Sequence, residues 1–252
     1  MMKRLLQISL FLVALTLSIQ ASTRGDVKVI EATENIRYLS QKIVKDYLFY
    51  ALYPKKELQA SLDVTLSSLN DDLRVIATTT KDSDTKDILE FLAYSKDQIK
   101  DIIKSKINEE NLALMMDYSE TLLEGADSIA EAHKYNFSSG EKMLMVAKKI
   151  NYLLERVMKY YISLHAGYNT PTNKEQLQIA VENLEENLAK IDSYQYPKEL
   201  KIVKDSIDRS WNANKVFISD INNLFIPKLL SISVDYMENL VTQVEIYHSK
   251  NQ

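Results

Sequence analysis

Ser61-Leu62-Asp63-Val64-Thr65-Leu66-Ser67-Ser68-Leu69-Asn70-Asp71-Asp72-Leu73-Arg74-Val75-Ile76 is the stretch whose reading decides the fold. Leu62, Leu66, Leu69, Leu73 and Ile76 are separated by steps of four, three, four and three, which stack on one face of a 3.6-residue helix and would scatter over both faces of a strand. The stripe is narrow and the rest of the surface is polar. Such a helix is not stable alone and forms by packing its stripe against other helices. The same five positions recur 115 residues later as Leu177, Val181, Leu184, Leu188 and Ile191, so the assembly this helix belongs to is expected twice.

Working outward, helical spacing continues almost without a break. Helices are expected over about Asp26–Leu52, ended by Pro54, then Lys55–Thr78, Thr85–Ile107 and Glu109–Lys134. A second set follows over about Ser139–His165, Asn173–Ser193, Lys198–Ile218 and Ile226–His248, with Gly167, Asn169, Pro171 and Pro197 at its breaks. Gly and Pro number four each, too few for an all-β chain with many turns. Long helices on short connectors point to antiparallel packing. The expectation is an all-α chain of two tandem antiparallel four-helix bundle units, residues 22–136 and 137–252, eight helices in all. Asp117-Tyr118-Ser119-Glu120-Thr121-Leu122 recurs as Asp235-Tyr236-Met237-Glu238-Asn239-Leu240 at a shift of 118. Leu92, Ser95, Lys100 and Ile103 recur as Ile207, Ser210, Lys215 and Ile218 at 115. Leu39, Lys42, Ile43 and Tyr50 align with Val146, Lys149, Ile150 and Val157 at 107.

Residues 1–21 have the layout of a secretory signal: Lys3 and Arg4, an apolar run from Leu5 to Leu17, and Ser18-Ile19-Gln20-Ala21 as the cleavage region. The run falls short of the roughly 20 residues of a spanning helix. The expected location is therefore the periplasm, with an uncleaved inner-membrane anchor as the lesser alternative. Net charge is −4, and becomes more negative without Lys3 and Arg4. A general nucleic-acid binder needs a basic surface, so nucleic acid is not an expected partner. The chain has no cysteine. That excludes disulfides, thiolate metal sites, cysteine nucleophiles and a lipoprotein anchor.

The residues carry little catalytic signal. Glu245-Ile246-Tyr247-His248 has the Glu-x-x-His spacing of di-iron bundles, but such sites need that motif twice plus two further Glu. No metal, no cofactor and no enzyme activity are expected, because no nucleotide loop or nucleophile motif is present. Ser138 with Glu141 reads as a helix cap rather than an anion site. The tyrosines of the first helix in each set (Tyr47, Tyr50, Tyr53; Tyr152, Tyr160, Tyr161) and Trp211 read as core and boundary residues.

Asn35-Ile36-Arg37-Tyr38-Leu39-Ser40-Gln41-Lys42-Ile43 resembles the first helix of the N-terminal sensor domain of type IV pili methyl-accepting chemotaxis transducers (PilJ type), which is related to nitrate/nitrite sensor domains. Arg37, Leu39, Ser40, Gln41, Ile43 and Lys45 match the family pattern, and Lys42 replaces an Arg. Thr33-Glu34 depart from the family's Ala-Gly, and Asn35 from its first Arg. The resemblance implies a ligand site in which Arg37 holds a small anion with Ser40 and Gln41 on the same face, pairing as parallel homodimers, and action through a membrane sensor kinase or chemoreceptor. A guanidinium fork suits a planar oxyanion. At the shift of 107, Leu144 stands opposite Arg37, so the second unit is expected to have lost any such site. The reading is a periplasmic sensor-type binding module for a small ligand. The alternative is a non-catalytic structural or protein-interaction bundle of the cell envelope.

Overall fold

In the computed structural model the chain is all-helical. It describes residues 2–133, 135–221 and 223–251, with side chains from residue 25 onward, so the side chains of residues 1–21, the expected signal, lie outside the described residues. Among the described residues there are eight helices and no strand: α1 Met2–Leu52, α2 Lys56–Thr79, α3 Ser83–Lys104, α4 Glu109–Ala132, α5 Ser139–Ser163, α6 Pro171–Ser193, α7 Lys198–Ser219 and α8 Pro227–Lys250. From α2 to α8 the observed bounds lie within about three residues of the expected ones. The exception is α1, which does not begin at Asp26 but is continuous from Met2, because Gly25 alone costs too little to break a helix.

Local chemistry sets the ends. Asp82 and Asn108 accept from Thr85 N and Asn111 N, both at 2.7 Å, to cap α3 and α4. Ser138 and Glu141 make a reciprocal capping box at the start of α5, the role expected of them. Pro171 and Pro227 occupy first-turn positions, where a missing N–H costs nothing. Gly167, with φ of +101°, turns the chain out of α5 in a conformation that favours glycine.

Packing follows the stripes. α1 lies against α2 and α4, and α3 closes the ring by touching both α2 and α4. In the same way α5 lies against α6 and α8, with α7 between those two. Leu62, Leu69, Leu73 and Ile76 of the diagnostic stretch are buried, as are their downstream counterparts Leu177, Leu184, Leu188 and Ile191. The two rings meet along α1 and α5, and the buried apolar residues of both belong to one connected core. Trp211 and Tyr47, Tyr160 and Tyr161 are part of it.

The seam fixes the relation between the rings. Lys148 donates to Asn35 at 3.0 Å, Arg156 to Gln41 at 3.2 Å and Lys42 to Glu155 at 3.4 Å, so α1 and α5 run parallel. These contacts are mirrored in pairs about an offset of 114 residues. Lys42 with Glu155 mirrors Gln41 with Arg156, and Asn35 with Lys148 mirrors Glu34 beside Lys149. At that offset Ile36, Tyr38, Leu39, Lys45 and Tyr47 coincide with Ile150, Tyr152, Leu153, Lys159 and Tyr161. The shift of 107 expected for this helix is therefore corrected to 114. The two differ by seven residues, two helical turns, over which an apolar stripe superimposes on itself equally well.

Candidate functional site

The α1–α5 seam carries charge where a bundle core is ordinarily apolar. On one side, Lys45 of α1 is buried and reaches both carboxylate oxygens of the fully buried Glu155, at 2.9 and 2.8 Å. Lys42 lies 3.4 Å from Glu155 and 3.6 Å from Asp46, which in turn accepts from Ser61 at 2.8 Å. Burial works against the Lys45 ammonium, but Glu155, Asp46 and Glu238 outweigh it and hold its pKa above the ordinary lysine value. Tyr38 donates to Glu238 of α8 at 3.2 Å.

On the other side, Arg156 of α5 takes both oxygens of Glu120 at 2.9 Å, and donates to Gln176 at 2.8 Å. Lys159, fully buried, pairs with the same Glu120 and lies 3.2 Å from Ser119. Its ammonium sits 4.4 Å from the centre of the Tyr160 ring. Here burial wins over the single carboxylate, aided by the charge of Arg156, and the Lys159 pKa is lowered to about 8. Burial alone would raise Glu120, but the two cations lower it to about 2.

Of the residues singled out in the sequence, Arg37 does not share an environment with Ser40 and Gln41. Its guanidinium bridges Glu34, on its own helix, and Asp127 of α4. Ser40 is buried and donates to Arg37 O at 2.7 Å within the helix. Gln41 is buried on the seam, donating to Ser40 at 3.0 Å and accepting from Arg156. An anion at Arg37 has to compete with two carboxylates already there.

The offset of 114 places Asn151 of α5, not Leu144, in the position that mirrors Arg37. Asn151 donates to Glu245 of α8 at 2.7 Å, just as Arg37 donates to Asp127 of α4, and Glu245 lies 118 residues beyond Asp127. An amide is shorter than a guanidinium and carries no charge. Beside it is a cleft of about 240 Å³ between α1, α5 and α8, whose wall includes Glu34, Tyr38, Lys148, Asn151, Glu238 and Glu245. Three buried oxygens of this wall have no hydrogen-bond partner among the described residues: Glu34 Oε2, Asn151 Oδ1 and Glu238 Oε1. Burial raises the carboxyl pKa values of Glu34, Glu238 and Glu245. For Glu238 the neighbouring Glu155 adds to the rise, while Lys45 and Lys42 oppose it; Lys148 opposes it at Glu245.

None of Asn151, Glu238, Glu120, Glu155 or Lys159 is singled out for chemistry by the sequence, and Glu245 enters there only as part of the Glu-x-x-His spacing. The signal that finds the seam is the alignment of Ile36-x-Tyr38-Leu39 and Lys45-x-Tyr47 with Ile150-x-Tyr152-Leu153 and Lys159-x-Tyr161. Comparison of the chain with protein families, curated proteins and solved structures gave no match. No helix among the described residues is long and apolar enough to cross a membrane.

Proposed function

We propose that the chain is a periplasmic sensor-type binding module of two tandem antiparallel four-helix bundle units, of the PilJ-type sensor class. In this reading it recognises a small ligand at the α1–α5 seam and acts through a membrane sensor kinase or chemoreceptor. The observation that carries the reading is the seam itself. Buried charges and unpartnered oxygens lower stability relative to apolar packing, and clusters of this kind concentrate at functional sites. The parallel, mirrored pairing of α1 and α5 gives one chain the arrangement that the resemblance implies for a parallel dimer. Arg37 lies one helical turn from the seam residue Gln41 and anchors Glu34, which lines the cleft.

The alternative is a structural or protein-interaction bundle of the envelope. It is favoured by the two carboxylates already bound to Arg37. A thermal-shift screen of the purified protein against small anions, amino acids and amines, with Arg37→Ala in parallel, separates the two. A ligand at 100 times its dissociation constant adds about 2.7 kcal/mol, a rise of several degrees for a chain of this size. A rise with one ligand class supports the binding module; no rise with any class leaves the structural bundle.

A further inference from the structure

The two sides of the seam differ at one mirrored position, and the difference defines a binding preference. Next to α4, the chain supplies its own cation: the Arg37 guanidinium lies between Glu34 and Asp127. Next to α8, Asn151 stands where that arginine would be, the carboxylate Glu245 receives an amide instead, and a cleft of about 240 Å³ opens. Its unpartnered atoms Glu34 Oε2, Asn151 Oδ1 and Glu238 Oε1 are all acceptors. A buried acceptor without a donor is costly, so the wall calls for a group that donates in several directions. Against three carboxylates the wall offers one ammonium, Lys148, which already donates to Asn35.

We propose that this cleft binds a small organic cation, an alkylguanidinium or alkylammonium head that takes the place of the missing arginine and donates to Glu34, Asn151, Glu238 and Glu245. This deepens, and rests on, the reading of the chain as a small-ligand module. A bare metal ion fits less well: it needs several oxygens converging at about 2.0–2.6 Å, and no group of three or more acidic or imidazole side chains among the described residues is placed to hold one. A short alkyl tail has room in the adjoining hollow of about 370 Å³, which shares Lys148 and Glu245 with the cleft and adds Leu144 and Ile246. Burial raises the carboxyl pKa values of Glu34, Glu238 and Glu245, and a cation bound among them would oppose that rise.

The test is calorimetric titration and thermal shift of the whole protein with n-butylguanidinium and n-butylammonium chloride. Sodium butyrate and sodium chloride at equal ionic strength are the controls. The two organic cations should bind and raise the melting temperature by several degrees, and the controls should not. The nearly isosteric Glu245→Gln should weaken binding roughly tenfold or more, the loss of one charge-assisted hydrogen bond. Asn151→Arg should raise the melting temperature without ligand and abolish the response, because the chain then fills the cleft itself. No binding of either cation, or binding undiminished in both variants, overturns the proposal. A response to anions or amino acids that needs Arg37 and ignores both cations overturns the cation site while leaving the binding module intact. No response to any class removes both.

Discussion

Lys45 and Lys159 occupy mirrored positions on α1 and α5, both buried in the same seam, yet their ammonium groups are pushed in opposite directions. Lys45 has Glu155, Asp46 and Glu238 around it and is held firmly charged. Lys159 has the one carboxylate of Glu120, shared with Arg156, and its charge is only weakly supported. The cause lies in two mirrored pairs: where α5 supplies Glu155, α1 supplies Gln41, and where α1 supplies Asp46, α5 supplies Tyr160. Burial is common to both lysines, so it cannot decide the sign of the shift. The number of carboxylates within reach does.

The sharpest way to break this comparison is to remove each lysine. Lys45→Met strands the fully buried Glu155 with Lys42 alone at 3.4 Å, and should cost about 3 kcal/mol in urea unfolding. Lys159→Met leaves Glu120 with its two-point contact to Arg156 and partial access to solvent, and should fall within about 1 kcal/mol of neutral. Equal costs for the two variants would dissolve the distinction.

The rings differ in packing as well, and a second pair of variants sharpens that. A Cβ on Gly125 of α4 would collide with the side chain of the fully buried Leu92 of α3, so Gly125→Ala should destabilise by about 1–2 kcal/mol, overpacking outweighing the gain in helix propensity. The residue 118 positions on is Gln243, exposed on α8, and Gln243→Ala should change stability by less than about 0.5 kcal/mol.

The comparison also has a pH slope. The unfolded chain keeps the Lys159 ammonium up to about 10.5 and the folded chain up to about 8, so between those values the unfolded state binds more protons and stability rises with pH. Lys45 runs the other way: its contribution is complete below the unfolded value of 10.5 and declines above it. The stability difference between wild type and Lys159→Met, followed from pH 8 to 10, should therefore grow in favour of wild type. Gln41→Glu supplies one of the two missing carboxylates and should flatten that slope; an unchanged slope would show that Gln41 does not set the Lys159 environment.

The helices were legible because each carries its own stripe, as Leu62 to Ile76 does within one short segment. The seam was not, because periodicity repeats every two turns and a slip of seven residues leaves every apolar match intact. That slip hid Asn151 behind Leu144. Arg37 stood out within a local motif, but Asp127 lies 90 residues from it in sequence and Glu238 lies 200 from Tyr38, and no local pattern announces either. The capping box at Ser138 was readable because both partners fall within four residues.

The parallel pairing of α1 and α5 within a single chain has one further consequence. A symmetric homodimer must present every substitution twice, once on each side of its axis, so its two faces stay identical. Two halves encoded in tandem are released from that rule. Arginine can close one flank while asparagine opens the other, and the seam gains a polarity that two copies of one polypeptide never have.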